Sequence, residues 1–120
     1  MRRVEKPWGY ELVWAETDRY VGKLLHVRAG TRLSLQYHRV KEETMLLQSG
    51  EIDLLLEDDD GELRTRRLEP GVSVHIAPGR RHRLTAITDA DVIEVSTPEL
   101  DDVVRIQDDH GRIPDGDPTG

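Results

Sequence analysis

A chain of 120 residues, 36% of them hydrophobic, has room for one domain around one core. Its 24 acidic residues outnumber 17 basic ones for a net charge of −7, which argues against nucleic acid as a partner, because gripping phosphates needs a surplus of Lys and Arg. With no cysteine there is no disulfide scaffold, thiol nucleophile or thiolate metal site, and no apolar run or leader pattern points to a membrane; a cytoplasmic single domain is the expectation.

In chain order, alternation and β-branched bias predict short strands over Tyr10 to Trp14, Lys23 to Arg28, Arg32 to His38, Thr44 to Gln48 and Ile52 to Glu57. Four more follow over Leu63 to Leu68, Val72 to Ile76, His82 to Ile87 and Val92 to Ser96. Turn residues separate them, among them Ser49-Gly50, Asp58-Asp59-Asp60-Gly61, Pro70-Gly71 and Pro78-Gly79. Ile52 to Leu68 reads as a hairpin with an acidic, solvated tip. Pro98 to Arg105 suggests one helical turn capped by Thr97. Gly111 to Gly120 is poor in apolar residues and reads as a flexible tail behind a single domain over 1–110. Some nine strands at spacings near ten residues predict an all-β sandwich or barrel wide enough for one small ligand.

Charge is distributed unevenly. Arg28 to Lys41 contains Arg28, Arg32, Arg39 and Lys41 with no acid, and Ala77 to Thr88 contains Arg80, Arg81 and Arg83 with no acid. Cross-strand pairing on a charged surface is one reading of these stretches; two basic loops converging on an anionic small molecule is the other. Each stretch also holds a histidine. Strand alternation puts Gln36 and His38 on one face, with Ser34 and Arg32 further along it, and a turn after His38 returns Glu43 beside it. His82 follows the Pro78-Gly79 turn. Gln, His, Glu and His form a nitrogen- and oxygen-rich set suited to Zn²⁺, Mn²⁺, Fe²⁺, Co²⁺ or Ni²⁺.

The spacing Gly30-x5-Gln36-x-His38-x4-Glu43-x6-Gly50 resembles the first cupin motif, with Gln in place of its first His. Gly71-x5-Ala77-Pro78-Gly79-x2-His82 resembles the second, with Pro and its preceding residue exchanged. More closely, the chain resembles the cupin domain at the C-terminus of type II mannose-6-phosphate isomerases, which is usually fused to a mannose-1-phosphate guanylyltransferase. Lys6-Pro7-Trp8-Gly9, Gly30 to His38, Gly79 to Leu84, Val92 to Val95 and Val104 to Arg112 carry that likeness, over roughly residues 4 to 112.

The resemblance implies a double-stranded β-helix of the cupin, or jelly-roll, type. It implies a divalent metal, zinc by default, held by Gln36, His38, Glu43 and His82, and a homodimer in which a strand such as Tyr10 to Trp14 pairs across the interface. It also implies sugar-phosphate isomerisation through an enediol. On that basis Glu94 is a candidate base, Arg32 and Arg105 are candidate catalytic groups, and Lys23, Lys41, Arg80 and Arg81 are candidate substrate anchors. Plain alternatives stand beside these roles. Arg32 and Glu94 could form an interior ion pair, Lys23 a rim lysine, and Arg81 and Arg83 surface charges on the face opposite His82. His26, His75 and His110 fall outside the spacing and read as structural or exposed. Where the family often has further histidines and Arg-Ala-Glu-His-Trp, this chain has Arg39-Val40-Lys41-Glu42-Glu43-Thr44-Met45. The isomerase reading therefore has two rivals: a non-catalytic cupin that binds a sugar or sugar phosphate, and an iron-dependent dioxygenase.

Overall fold

The computed structural model describes residues 1–113 and contains eleven strands and no helix among them. They are β1 (Arg2–Lys6), β2 (Gly9–Glu16), β3 (Val21–Val27), β4 (Leu35–Tyr37), β5 (Glu43–Ser49), β6 (Ile52–Glu57), β7 (Leu63–Leu68), β8 (Ser73–Ile76), β9 (His82–Ala86), β10 (Ala90–Ser96) and β11 (Val104–Gln107). Two antiparallel sheets result, with strand orders β1-β2-β3-β10-β5-β8 and β11-β4-β9-β6-β7. This is the double-stranded β-helix that the sequence resemblance implies.

Alternation along the strands builds the core. Leu25 and Val27 on β3, Met45 and Leu47 on β5 and Val92 on β10 turn inward from the larger sheet. Ile52 and Leu54 on β6 and Leu84 and Ala86 on β9 meet them from the smaller one. Burying such side chains contributes about 1.5–3 kcal/mol each, which is what holds the sheets face to face. Backbone crowding fixes two corners. A Cβ on Gly50, whose φ is +91°, would lie 2.3 Å from the Asp89 carbonyl oxygen, and one on Gly9 would lie 1.8 Å from that of His26.

Several expectations change. Nine strands become eleven because β1 and β11 are recruited by their neighbours, β2 and β4, rather than by an apolar alternation of their own. The helical turn expected over Pro98 to Arg105 does not form. Thr97 does not cap one; its hydroxyl accepts from the Glu42 N–H at 3.0 Å, and β11 begins at Val104. Tyr10 to Trp14 lies within β2, flanked by β1 and β3, so both its edges are used within the chain and it is β1 beside it that ends the sheet. Of the tail expected from Gly111 onward, residues 114–120 lie outside the described residues.

Candidate metal centre and its cavity

Gln36 lies in β4, His38 just after it, Glu43 opens β5 and His82 opens β9. Gln36 and His82 are cross-strand partners, and the Gly79 N–H donates to the His38 carbonyl at 2.7 Å, so the two histidine segments are laced together. His38, Glu43 and His82 bring one potential ligand atom each to within 4.8 Å of one another, and all three are buried.

The imidazoles are oriented from behind. His38 Nδ1 lies 2.5 Å from the Asp102 carbonyl oxygen and His82 Nδ1 lies 2.8 Å from that of Arg80. A carbonyl only accepts, so each Nδ1 must carry the hydrogen, and in a neutral ring Nε2 is left as a bare lone pair. Both Nε2 atoms face Glu43 Oε1, at 3.4 Å from His38 and 3.2 Å from His82. Neither these nitrogens nor the Glu43 oxygens have a hydrogen-bond partner. Lone pairs pointed at a carboxylate in a dry site need a cation between them. Ligands held about 2.1 Å from a common ion are separated by roughly 3.0–3.4 Å, so the arrangement fits a divalent metal. Gln36 stands next to this set, its Oε1 accepting from the Ser34 hydroxyl at 2.6 Å.

A second layer of charge surrounds the cluster. Glu94, on β10 opposite Met45 of β5 and Lys23 of β3, is buried. Burial, and next the charge of Glu43, push its carboxyl up to about 8. Burial works in the same direction on Glu43, while the Lys41 ammonium favours its charged form. Lys41 is buried with its ammonium 3.2 Å from Glu43 and 3.7 Å from Glu94. Desolvation opposes its charge, and the two carboxylates more than offset that, raising its pKa. Lys23, a possible rim lysine by sequence, is instead buried and paired with Glu11 at 3.1 Å.

A cavity of about 80 Å³ opens over His38 and Gln36. Five cations line it (Lys6, Lys23, Lys41, Arg105 and Arg112) against one acid, Glu11, and Trp8 and Leu33 supply apolar wall. Arg105 is the cross-strand partner of Gln36, and its buried Nε has no partner. Arg112 is aimed by Asp108, which accepts from its Nε at 2.8 Å, its Nη2 at 3.0 Å and its backbone N–H at 2.7 Å.

Three sequence candidates stand elsewhere. Arg32 is not inward: regular pairing starts only at Leu35, with a single bridge from Arg32 to Thr85 before it, so alternation counted back from His38 fails. Its half-exposed guanidinium pairs with Asp109 at 2.5 Å, away from Glu94. Arg80 and Arg81 turn to the β6–β7 hairpin, Arg80 to Asp59 and Arg81 to Glu57 at 3.2 Å, so the acidic tip is exposed, as expected, and also neutralises arginines. Arg83, grouped by alternation with Arg81 as a possible surface charge, is buried and donates to the Leu33 carbonyl at 2.8 Å. His26 pairs with Asp91, His75 with Glu42, and His110 reaches the Arg32 carbonyl, all outside the cluster.

Sequence reasoning missed Asp102. Its carboxylate accepts from the backbone N–H groups of Arg39, Val40 and Lys41 at 3.1, 2.7 and 2.9 Å, and its carbonyl fixes His38. These three hydrogen bonds hold Asp102 below the usual aspartate range. Hydrogen bonds to a charged acceptor contribute about 1.5–3 kcal/mol, less where solvent screens them, so Asp102→Ala is expected to lower unfolding stability by about 1–2 kcal/mol in urea titration. Because the folded value is depressed, that contribution is present above pH ~4 and is lost as pH falls through it, so variant and wild type should converge in acid.

The family described as mannose-6-phosphate isomerase C-terminal matches residues 1–108. A mannose-1-phosphate guanylyltransferase of Escherichia coli K12 is 35% identical over 118 residues, covering 93% of this chain but 23% of that protein. The chain thus spans about a quarter of the length of that curated relative. Among solved structures, KdgF from Halomonas sp. superposes with a TM-score of 0.73 at 19% identity, covering 84% of this chain and 91% of that one. A Klebsiella pneumoniae protein with a double-stranded β-helix domain gives 0.66 at 19% identity, covering 78% and 79%. At such identities these two likenesses establish the fold alone.

Proposed function

The chain belongs to the mannose-6-phosphate isomerase C-terminal family, and from that premise we propose that it is a metal-dependent aldose–ketose isomerase of phosphorylated hexoses, interconverting mannose 6-phosphate and fructose 6-phosphate. The observation that carries the reading is a histidine–carboxylate cluster beside a cavity walled by five cations and one acid, a setting for a polar, anionic ligand. His38, Glu43 and His82, with Gln36 as a fourth donor, would hold the metal, zinc by default; a bound divalent ion supplies Lewis-acid polarisation of a sugar oxygen. Arg105 and Arg112, with Lys6, would take the phosphate, and Lys23 and Lys41 would face the sugar oxygens. Glu94, behind Lys41 and with its carboxyl pushed up to about 8, would be the base only in its ionised form. In that form it would take the C2 proton of the open-chain aldose to give an enediolate, the hydroxyl proton on O2 passing to O1, and would return its proton to C1 to give the ketose. The free edge of β1 supports a homodimer built through that strand.

The name carried by the guanylyltransferase relative, and the position of Glu94 behind the cavity wall rather than in it, favour one rival: a module that binds a sugar phosphate without turnover. A coupled assay over hexose and pentose phosphates, run anaerobically with Zn²⁺ or Mn²⁺, separates the readings. Turnover of mannose 6-phosphate is expected, and Glu94→Gln should cut it at least about 100-fold while metal uptake persists. Ligand-dependent thermal stabilisation with no turnover would establish the binding module instead, and oxygen consumption only with Fe²⁺ would establish a dioxygenase.

A further inference from the structure

We propose that Lys41 is a resident cation that limits how tightly, and through how many oxygens, Glu43 holds a divalent ion, an inference that rests on the metal reading above. The two oxygens of Glu43 are divided between different neighbours. Oε1 faces the Nε2 atoms of His38 and His82 at 3.4 and 3.2 Å, whereas Oε2 faces the Lys41 ammonium at 3.2 Å. An ion seated against the imidazoles therefore takes one carboxylate oxygen, because the other is already engaged by a positive charge.

The ammonium also repels the ion directly. Lys41 is 6% exposed, so little water screens its charge from the neighbouring site. Nor can it swing aside. Its backbone N–H is anchored to Asp102 at 2.9 Å, and its head is held between Glu43 and Glu94, the latter at 3.7 Å. The same charge keeps two buried carboxylates compatible when no ion is bound. Lys41 thus exchanges metal affinity for integrity of the metal-free protein. Ions that gather several carboxylate oxygens, Ca²⁺ above all, lose most by this arrangement, and ions that favour imidazole lose least.

Titration of the full chain with Co²⁺, followed by its visible absorption and by calorimetry, tests this without reference to turnover. Lys41→Met is expected to bind Co²⁺ roughly 10- to 100-fold more tightly than wild type, and Lys41→Arg, which keeps the charge, to stay within about threefold. The Met variant should also melt lower without ion and recover when it is added. If it does not fold, Lys41→Gln, whose amide can still bridge the carboxylates, supplies the same comparison. Folded Lys41→Met or Lys41→Gln binding Co²⁺ no more tightly than wild type would overturn the proposal while leaving the metal site standing. Wild-type protein that takes up no Co²⁺ would overturn the metal reading, and this inference with it.

Discussion

Zinc or manganese added to the metal-free protein should raise its melting temperature by about 10 °C, and His82→Ala should abolish the rise. The magnitude follows from linkage: an ion at one hundred times its dissociation constant stabilises the fold by about 2.7 kcal/mol, and each kcal/mol moves the midpoint of a domain of this size by roughly 3–6 °C. Part of the gain comes from relieving a conflict already built into the apo fold, where two imidazole lone pairs converge on one carboxylate oxygen and none of these atoms is hydrogen-bonded. His82→Ala removes one donor and changes the resting stability as well, so the quantity to compare is the metal-dependent shift within each protein, by differential scanning calorimetry with and without chelator. A wild-type midpoint indifferent to every first-row divalent ion would rule the site out.

Lys23→Met should lower unfolding stability by about 3 kcal/mol, whereas replacing both members of its pair, Lys23→Met with Glu11→Leu, should restore most of it. The two side chains are 10% and 12% exposed and meet at 3.1 Å, so removing the ammonium strands a buried carboxylate. Breaking such a pair typically costs about 3–5 kcal/mol, while substituting it whole with apolar residues is often neutral. Lys23 is also the cross-strand partner of Glu94, whose charged form it favours. Guanidinium denaturation at neutral pH distinguishes the outcomes: a loss under 1 kcal/mol in the single variant would mean that solvent reaches the pair.

The strands that carry the core were legible where alternation is local: β5 and β6 show in the sequence the in–out pattern they adopt, whereas β2 buries Glu11 and exposes Trp14. Arg2–Lys6 shows no such pattern, and its place at the sheet edge follows from β2 beside it. The His38, Glu43 and His82 set was legible because a strand, a tight turn and a strand fix where those side chains meet. Arg32 was misjudged for the converse reason. Alternation is a property of a regular ladder, and the ladder lapses between Arg32 and Leu35. Partnerships across long stretches of chain, such as Asp102 with the loop after His38, leave no local trace at all.

The candidate ligands come from both sheets: Glu43 from the larger, Gln36 and His82 from the smaller, with His38 in the connection between β4 and β5. In a metal-loaded protein the gap between the sheets and the bite of the coordination sphere would therefore be a single mechanical variable. A ligand that drew the mouth of the barrel together would tighten the ion's coordination, and one that wedged it open would slacken it. Substrate shape would then act on the metal through the scaffold as well as by contact.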